Sequence, residues 1–257
     1  MDTAKQTTIT KGNIHTQTHR RATTTVGILY ILAAVTAIVG LTLYGPILNG
    51  PDYLIQGAAH KNQILLGAIM ELLLVGSAIG TAVGLFPFLR KHNESLALWY
   101  LCFRFLEAII ITIGIISVLS LLTLSQTFVA TAAPNASAFQ AAGTLLIAMH
   151  AWTFLLGPAL MLGVSTMTYS YLFYQSRLVP RWLATLGMTG AALIFLEAVL
   201  VIFGVISQIS AWGTLLALPV ATYEMTLAVW LIVKGFNPSA ITSESVKLNR
   251  TDIPVRD

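Results

Sequence analysis

Six long blocks of apolar residues dominate this 257-residue chain and leave few folds open to it. They cover about residues 24–45, 63–88, 96–124, 142–172, 182–206 and 211–235. A run of about 18 or more apolar residues is long enough to cross a bilayer as an α-helix. The strands of a membrane barrel would instead alternate over about ten residues, and these blocks are continuously apolar. We therefore expect an all-α polytopic membrane bundle of six transmembrane helices.

The composition excludes an ordinary soluble domain. Only 9% of the residues are charged, whereas soluble domains carry about 25%. The polar ends, residues 1–22 and 237–257, lack apolar periodicity and are predicted to be disordered tails around one transmembrane domain at 23–236. The first apolar block is too long for a signal-peptide core, and no small-x-small cleavage site follows it, so we expect a retained helix.

The positive charges predict the orientation. Arg104 lies inside a predicted helix and Lys61 at the opposite end from the rest. The other 12 of the 14 basic residues share one end: Lys5, Lys11, Arg20, Arg21, Arg90, Lys91, Arg177, Arg181, Lys234, Lys247, Arg250 and Arg256. The positive-inside rule places this end, with both termini, in the cytoplasm. Membrane topology therefore explains the net charge of +4, and no nucleic-acid partner is expected.

Six ionisable residues fall inside the predicted helices: Glu71, Arg104, Glu107, His150, Glu197 and Glu224. Such a residue costs about 2.5–3.5 kcal/mol or more at a bilayer centre, so each should face the bundle interior. We expect them to form a polar pocket that binds a ligand. Glu71, Glu107, His150 and Glu224 should share one interior volume, with Arg104 beneath them.

Arg104 and Glu107 share a helix face because they are three residues apart. They form a self-neutralising pair in one interpretation. In a second, Arg104 clamps an anionic group while Glu107 accepts a proton. In a third, Arg104 extends to the headgroups at the cytoplasmic surface.

Glycines flank several of these positions at helical spacing. Gly76, Gly80 and Gly84 form a stripe turned away from Glu71, which predicts a helix–helix contact. Two further sets place a polar residue between glycines seven apart: Gly143, His150 and Gly157, and Gly190, Glu197 and Gly204. These favour tight packing or a ligand-sized cavity. Pro158 also frees the backbone carbonyl of Phe154 near His150.

No metal site is predicted, because the chain has neither a Glu-x-x-His nor a His-Glu-x-x-His motif. No cofactor is identified, and no motif for nucleotide binding or ordinary hydrolysis is present. The single cysteine, Cys102, excludes an internal disulfide and is expected to be a small buried residue.

Several motifs resemble those of the bacterial domain of unknown function 4386 family of six-helix integral membrane proteins. They are GILY at 27–30, NESLAL at 93–98, FRFLEA at 103–108, HAWTFLLGP at 150–158, SRLVPRWL at 176–183 and YEMTLAVWLIVKG at 223–235. The resemblance covers about residues 24–237 and implies a multi-pass protein of the bacterial plasma membrane, without an established activity. Arg104, Glu107, His150 and Glu224 match the family pattern. Family members often carry an acid directly after the histidine; here Ala151 disfavours a histidine–carboxylate pair.

Three functions remain open from the sequence. The first is a polar intramembrane pocket that binds, senses or transports a small molecule or protons. The second is a membrane-embedded enzyme that uses His150 and a glutamate as acid and base on a lipid-soluble substrate. The third is a structural or accessory subunit. The expected partners are the lipid bilayer and a small-molecule or lipid ligand, and an oligomer is compatible with the sequence.

Overall fold

The computed structural model describes residues 2–131 and 136–240, with side chains from residue 19 onward. The prediction of six transmembrane helices is confirmed in this part of the chain. The helices long and apolar enough to cross a membrane are His19–Leu43, Lys61–Leu89, Glu94–Thr131, Ala136–Ser176, Arg181–Ile202 and Ala211–Val233.

The secondary structure is entirely helical in the described ranges. The helices are α1 (Asp2–Leu43), α2 (Gly45–Leu48), α3 (Tyr53–Ala59), α4 (Lys61–Leu89), α5 (Glu94–Thr131), α6 (Ala136–Leu155), α7 (Leu162–Ser176), α8 (Arg181–Ile202) and α9 (Ala211–Val233). A π-helix, Leu156–Met161, joins α6 to α7 within the fourth span. Pro158 lies in this π-helix.

The described structure continues into both predicted tails. Helix α1 already begins at Asp2, whereas the sequence predicted disorder over residues 1–22. That segment contains no proline and one glycine, Gly12, so nothing in it forces the helix to stop. At the other end, the backbone N–H of Asn237 donates to the carbonyl of Leu178 at 2.9 Å, which ties the start of the predicted tail to the α7–α8 turn. Residues 241–257 lie outside the described residues.

Polar residues extend α5 beyond its predicted end at residue 124. Thr127 and Thr131 each donate a side-chain hydrogen bond to the carbonyl four residues earlier, so their hydroxyl groups are satisfied within the helix. Ser125 donates instead to the carbonyl of Leu54 in α3. The predicted loop between the third and fourth spans is therefore mostly helical, although Pro134 and Asn135 lie outside the described residues.

The spans pack in chain order around a ring. Helix α1 contacts α4, α4 contacts α5, α5 contacts α6 and α7, α7 contacts α8, and α8 contacts α9. Contact between α9 and α1 closes the ring. At this closure a Cβ on Gly27 would lie 2.7 Å from the Ala228 carbonyl oxygen, so only glycine fits there.

Two of the three glycines in the predicted stripe form a helix contact. A Cβ on Gly80 would meet Leu29 Cδ1 at 2.8 Å, and one on Gly84 would meet Val26 Cγ2 at 2.5 Å. Both partners lie on α1, so the stripe is the surface on which α1 packs against α4. The prediction is wrong for Gly76, which is exposed and meets nothing within 4 Å.

The first and last spans are anchored together by Arg20. Its guanidinium donates to the carbonyl oxygens of Ile232 at 2.5 Å and Val233 at 2.9 Å, and so satisfies carbonyls that the end of α9 leaves unpaired. The start of the α1 span and the end of α9 therefore share one end of the bundle, called here the basic end. That this end faces the cytoplasm stays a prediction.

Two predictions about individual residues are wrong. Cys102 is exposed, because its side of α5 faces out of the bundle, away from the side on which Arg104 is buried. Gly204 lies outside the fifth span, since α8 ends at Ile202 and Gly204 turns the chain with φ +69°. Gly204 therefore does not flank Glu197 within a helix.

Candidate functional site

A cavity of about 210 Å³ lies inside the ring. Five of the six ionisable residues found in the sequence line it, and they come from four helices. They are Glu71 on α4, Arg104 and Glu107 on α5, His150 on α6 and Glu224 on α9. Glu71, Glu107, His150 and Glu224 therefore border one interior volume together with Arg104, as the cost of burying each one alone predicts.

Apolar side chains form the rest of the cavity wall. Helix α1 contributes Ala33, Ala34 and Ala37, whose small side chains leave space that leucine or isoleucine would fill. The remaining wall is formed mainly by apolar side chains of α4, α5 and the π-helix region: Leu74, Ala78, Ile111, Gly114, Phe154, Pro158 and Leu162. The cavity is thus apolar, with a few polar groups from different helices, as ligand sites in proteins usually are.

Arg104 and Glu107 form a buried salt bridge. Arg104 Nη1 donates to the two carboxylate oxygens of Glu107 at 2.9 and 3.3 Å, and Arg104 Nη2 donates to Thr81 Oγ1 at 3.1 Å. Arg104 is only 3% exposed, so it does not extend to the headgroups. Of the three interpretations, the self-neutralising pair describes this geometry, and most of the guanidinium is already engaged.

Glu71 and Glu224 differ from Glu107 in having no salt bridge to a described side chain. Glu71 is 6% exposed, and a Cβ on Gly40 of α1 would lie 3.0 Å from its Cγ. Glycine at position 40 therefore makes room for the carboxylic side chain between α1 and α4. Glu224 is partly buried and interacts electrostatically with Arg104 and Glu107.

His150 lies among aromatic rings. Its imidazole is 5.8 Å from the Tyr44 ring, edge to face, and 6.4 Å from the Phe154 ring, nearly parallel. Among the described side chains no carboxylate is hydrogen-bonded to this imidazole. The geometry therefore gives no support to a histidine–carboxylate pair, in agreement with the alanine at position 151.

The fourth span lacks a regular α-helical hydrogen bond beside His150. Pro158 has no N–H to donate to the Phe154 carbonyl, and the side-chain amide of Gln208 donates to that oxygen at 3.4 Å. Gln208 comes from the turn between α8 and α9. The carbonyl acceptor predicted from Pro158 is therefore engaged by a neighbouring turn.

Four tyrosines that were not predicted as site residues extend from the cavity toward the basic end. They are Tyr30, Tyr100, Tyr169 and Tyr223, all buried. The Tyr169 ring is 5.3 Å from that of Tyr100 and 6.0 Å from that of Tyr223, whose hydroxyl accepts a hydrogen bond from Ser170 at 2.9 Å. The only sequence signal for them was the presence of Tyr30 and Tyr223 in the family motifs. Burial of tyrosine hydroxyls beside Arg104 and Glu224 extends the polar region toward the basic end.

Glu197 is the one predicted site residue that does not line the cavity. It is 2% exposed on α8, and its Oε2 has no hydrogen-bond partner among the described residues. Helix α8 packs tightly on α9, because a Cβ on Gly190 would lie 2.8 Å from the backbone of Val220. The same close approach occurs at Gly143, where a Cβ would lie 2.5 Å from the Tyr53 hydroxyl. Both glycines therefore serve packing.

No group of three or more His, Cys, Asp or Glu side chains in the described ranges is arranged to hold a metal ion. The cavity residues offer hydrogen bonding, charge pairing and apolar contact.

Comparison with known proteins identifies the family. The family model described as "Domain of unknown function (DUF4386)" matches residues 25–235, which include all six spans apart from the first turns of the first. The chain belongs to this family. No curated protein and no solved structure matches it. Family membership, together with the six apolar helices, makes it an integral membrane protein of a family described as having unknown function.

Proposed function

We propose that this protein binds a small, mostly apolar molecule in its intramembrane cavity, and does so to sense it or move it across the bacterial plasma membrane. One observation carries the proposal. Glutamate, arginine and histidine side chains from four helices line one cavity whose remaining wall is mostly apolar.

The size of the cavity supports a ligand rather than a packing defect. Protein interiors are close-packed and have few voids larger than a water molecule. A cavity of about 150 Å³ in another protein admits benzene, and this one is about 210 Å³. A purely structural role for the charged residues would be better served by side chains that fill this space.

The location of the cavity supports access from the lipid or across the bundle. It lies between spans that cross the membrane, and three of its lining residues on α1 are alanines with partly exposed side chains. A molecule that enters such a site must tolerate an apolar environment. A lipid-soluble molecule with one polar group satisfies this requirement.

The test uses benzyl alcohol as the probe and thermal unfolding of the purified protein as the readout. Benzyl alcohol should raise the melting temperature of the wild-type protein and have little effect on Ala37→Phe, since a phenyl ring at position 37 fills the cavity. Ile38→Phe is the matched control, because Ile38 is 69% exposed and neighbours Ala37. Ala37→Leu replaces Ala37→Phe if the larger side chain prevents folding.

His150→Phe tests the polar contact separately. Phenylalanine keeps an apolar ring of similar shape but cannot donate or accept a hydrogen bond through ring nitrogens. This variant should fold normally and lose part of the stabilisation by benzyl alcohol. Equal stabilisation of wild-type and Ala37→Phe protein, or none in the wild-type protein at millimolar probe, would contradict the proposal.

A further inference from the structure

The charges that face the cavity do not cancel. Ionisable groups come from five of the helices that line it: Tyr30 on α1, Glu71 on α4, Arg104 and Glu107 on α5, His150 on α6 and Glu224 on α9. Arg104 and Glu107 neutralise one another through their salt bridge. Two carboxyl groups, those of Glu71 and Glu224, then remain without a cation of their own among the described residues.

From this imbalance, and resting on the ligand-binding function proposed above, we propose that the cavity selects small lipophilic cations. The preferred ligand class is a primary amine in its ammonium form on an apolar body. Its binding releases a proton from a cavity carboxyl.

An anionic ligand finds no available counter-charge. Arg104 Nη1 bonds Glu107 and Nη2 bonds Thr81, which leaves only the buried Nε without a hydrogen-bond partner among the described residues. To bind an anion, Arg104 would have to leave Glu107 as an uncompensated buried carboxylate, which is strongly unfavourable. An anion would also approach Glu71 and Glu224, and like charges repel strongly in a medium of low dielectric constant.

Glu71 is the better partner for the cation. Arg104 interacts electrostatically with Glu224, so part of the negative charge of Glu224 is already compensated. Among the described residues no cationic side chain interacts in this way with Glu71, whose ionisable neighbour is Tyr44. An ammonium group beside Glu71 would therefore supply the counter-charge that this carboxyl lacks.

Proton release follows from the cost of charge in an apolar cavity. An unpaired carboxylate is costly there, so without a counter-ion the carboxyl keeps its proton. When an ammonium ion enters, the O–H bond of the carboxyl breaks, the proton leaves to bulk water, and the carboxylate pairs with the ammonium. The net charge of the cavity is then unchanged: one positive charge enters and one leaves.

Aromatic groups at the cavity also suit an organic cation. The Tyr30 and Phe154 rings line it, and the faces of such rings attract positive charge. The alanines of α1 leave room for the apolar body of the ligand. The cavity carboxyl groups would thus pair with the ammonium group of an amphipathic amine, and the apolar and aromatic wall would contact its apolar body.

Three probes of similar size and different charge test the inference at neutral pH: benzylamine, which is cationic, benzyl alcohol, which is neutral, and benzoate, which is anionic. Dissociation constants are measured with purified protein by calorimetry or thermal shift. Benzylamine should bind at least about tenfold more tightly than benzyl alcohol, in line with the coupling of close charge pairs. Benzoate should bind more weakly than either.

Glu71→Gln should abolish the preference for benzylamine over benzyl alcohol while the alcohol still binds. Glu94→Gln is the control, because Glu94 is an exposed carboxylate at the basic end, outside the cavity. With a pH indicator in weakly buffered solution, benzylamine should release about one proton per molecule bound to the wild-type protein, and benzyl alcohol none. The affinity for benzylamine should rise as the pH rises, because the carboxyl then loses its proton more readily.

The outcomes separate the inference from the proposed function. If benzylamine and benzyl alcohol bind equally well, or benzoate binds best, the cation selectivity is refuted and the ligand-binding function stands. If Glu71→Gln keeps the full preference for benzylamine, Glu71 is not the counter-charge and the inference is also refuted. If none of the probes binds, the ligand-binding function itself fails.

Discussion

Replacing Arg104 with methionine should strongly destabilise the bundle. The substitution removes three hydrogen bonds, two to Glu107 at 2.9 and 3.3 Å and one to Thr81 at 3.1 Å. Methionine keeps most of the apolar stem, so the main loss is the positive charge opposite a carboxylate that is 4% exposed. Removing one partner of a buried ion pair costs about 3–5 kcal/mol. We expect the free energy of unfolding to fall by about that amount.

A second variant isolates the electrostatic part of this loss. Arg104→Met combined with Glu107→Gln removes both charges, and should recover most of the stability because no carboxylate is left uncompensated. The assay is reversible unfolding of the purified protein in mixed detergent micelles at neutral pH. Lys61→Met is the control for loss of an exposed positive charge. If Arg104→Met lies within about 1 kcal/mol of the wild-type protein, or the double variant is no more stable than the single one, the pair does not stabilise the interior as argued.

Two further predictions concern packing and topology. Gly80→Leu should lower the free energy of unfolding by about 1–3 kcal/mol, because a side chain there collides with a leucine of α1. Gly76→Leu is its matched control, because nothing lies within 4 Å of the added Cβ. If the two variants changed the free energy of unfolding in detergent equally, the stripe would not be an interface. Reporter fusions after Lys91 and Arg181 should score cytoplasmic and a fusion near Gln208 external, whereas an external score after Arg181 would contradict the predicted orientation.

The sequence was sufficient to predict the spans and the glutamate, arginine and histidine residues that line the cavity. Continuous apolar blocks identify membrane helices because water is absent from the bilayer core. The same physics makes each ionisable residue in a span seek the interior, and this argument correctly brought Glu71 and His150 to one cavity. The cost of exposing a charge to lipid does not determine which helices surround the cavity. Glu197 is buried as the argument requires, but on α8, which packs against α7 and α9 without lining the cavity.

Other features depend on tertiary contacts that a single sequence does not display. Tyr44 follows the end of α1 and approaches both Glu71 on α4 and His150 on α6, which spacing along the sequence does not predict. Gly76, Gly80 and Gly84 have the same spacing and chemistry, yet α1 touches only the last two. Spacing along one helix predicts a shared face, and the position of the neighbouring helix decides how far along that face contact extends.

The π-helix at Leu156–Met161 also has a consequence for how His150 is aimed. An α-helix turns by about 100° per residue, and a π-helical turn accommodates one residue more than an α-helical turn. The segment therefore sets the rotational phase of α6 relative to α7. If the same residues formed a regular α-helix instead, the extra residue would rotate α6 by about 100° relative to α7 and carry His150 away from the cavity. The direction of His150 thus depends on the wide turn at residues 156–161, and a substitution there that restored regular α-helical geometry would act like a substitution at the site itself.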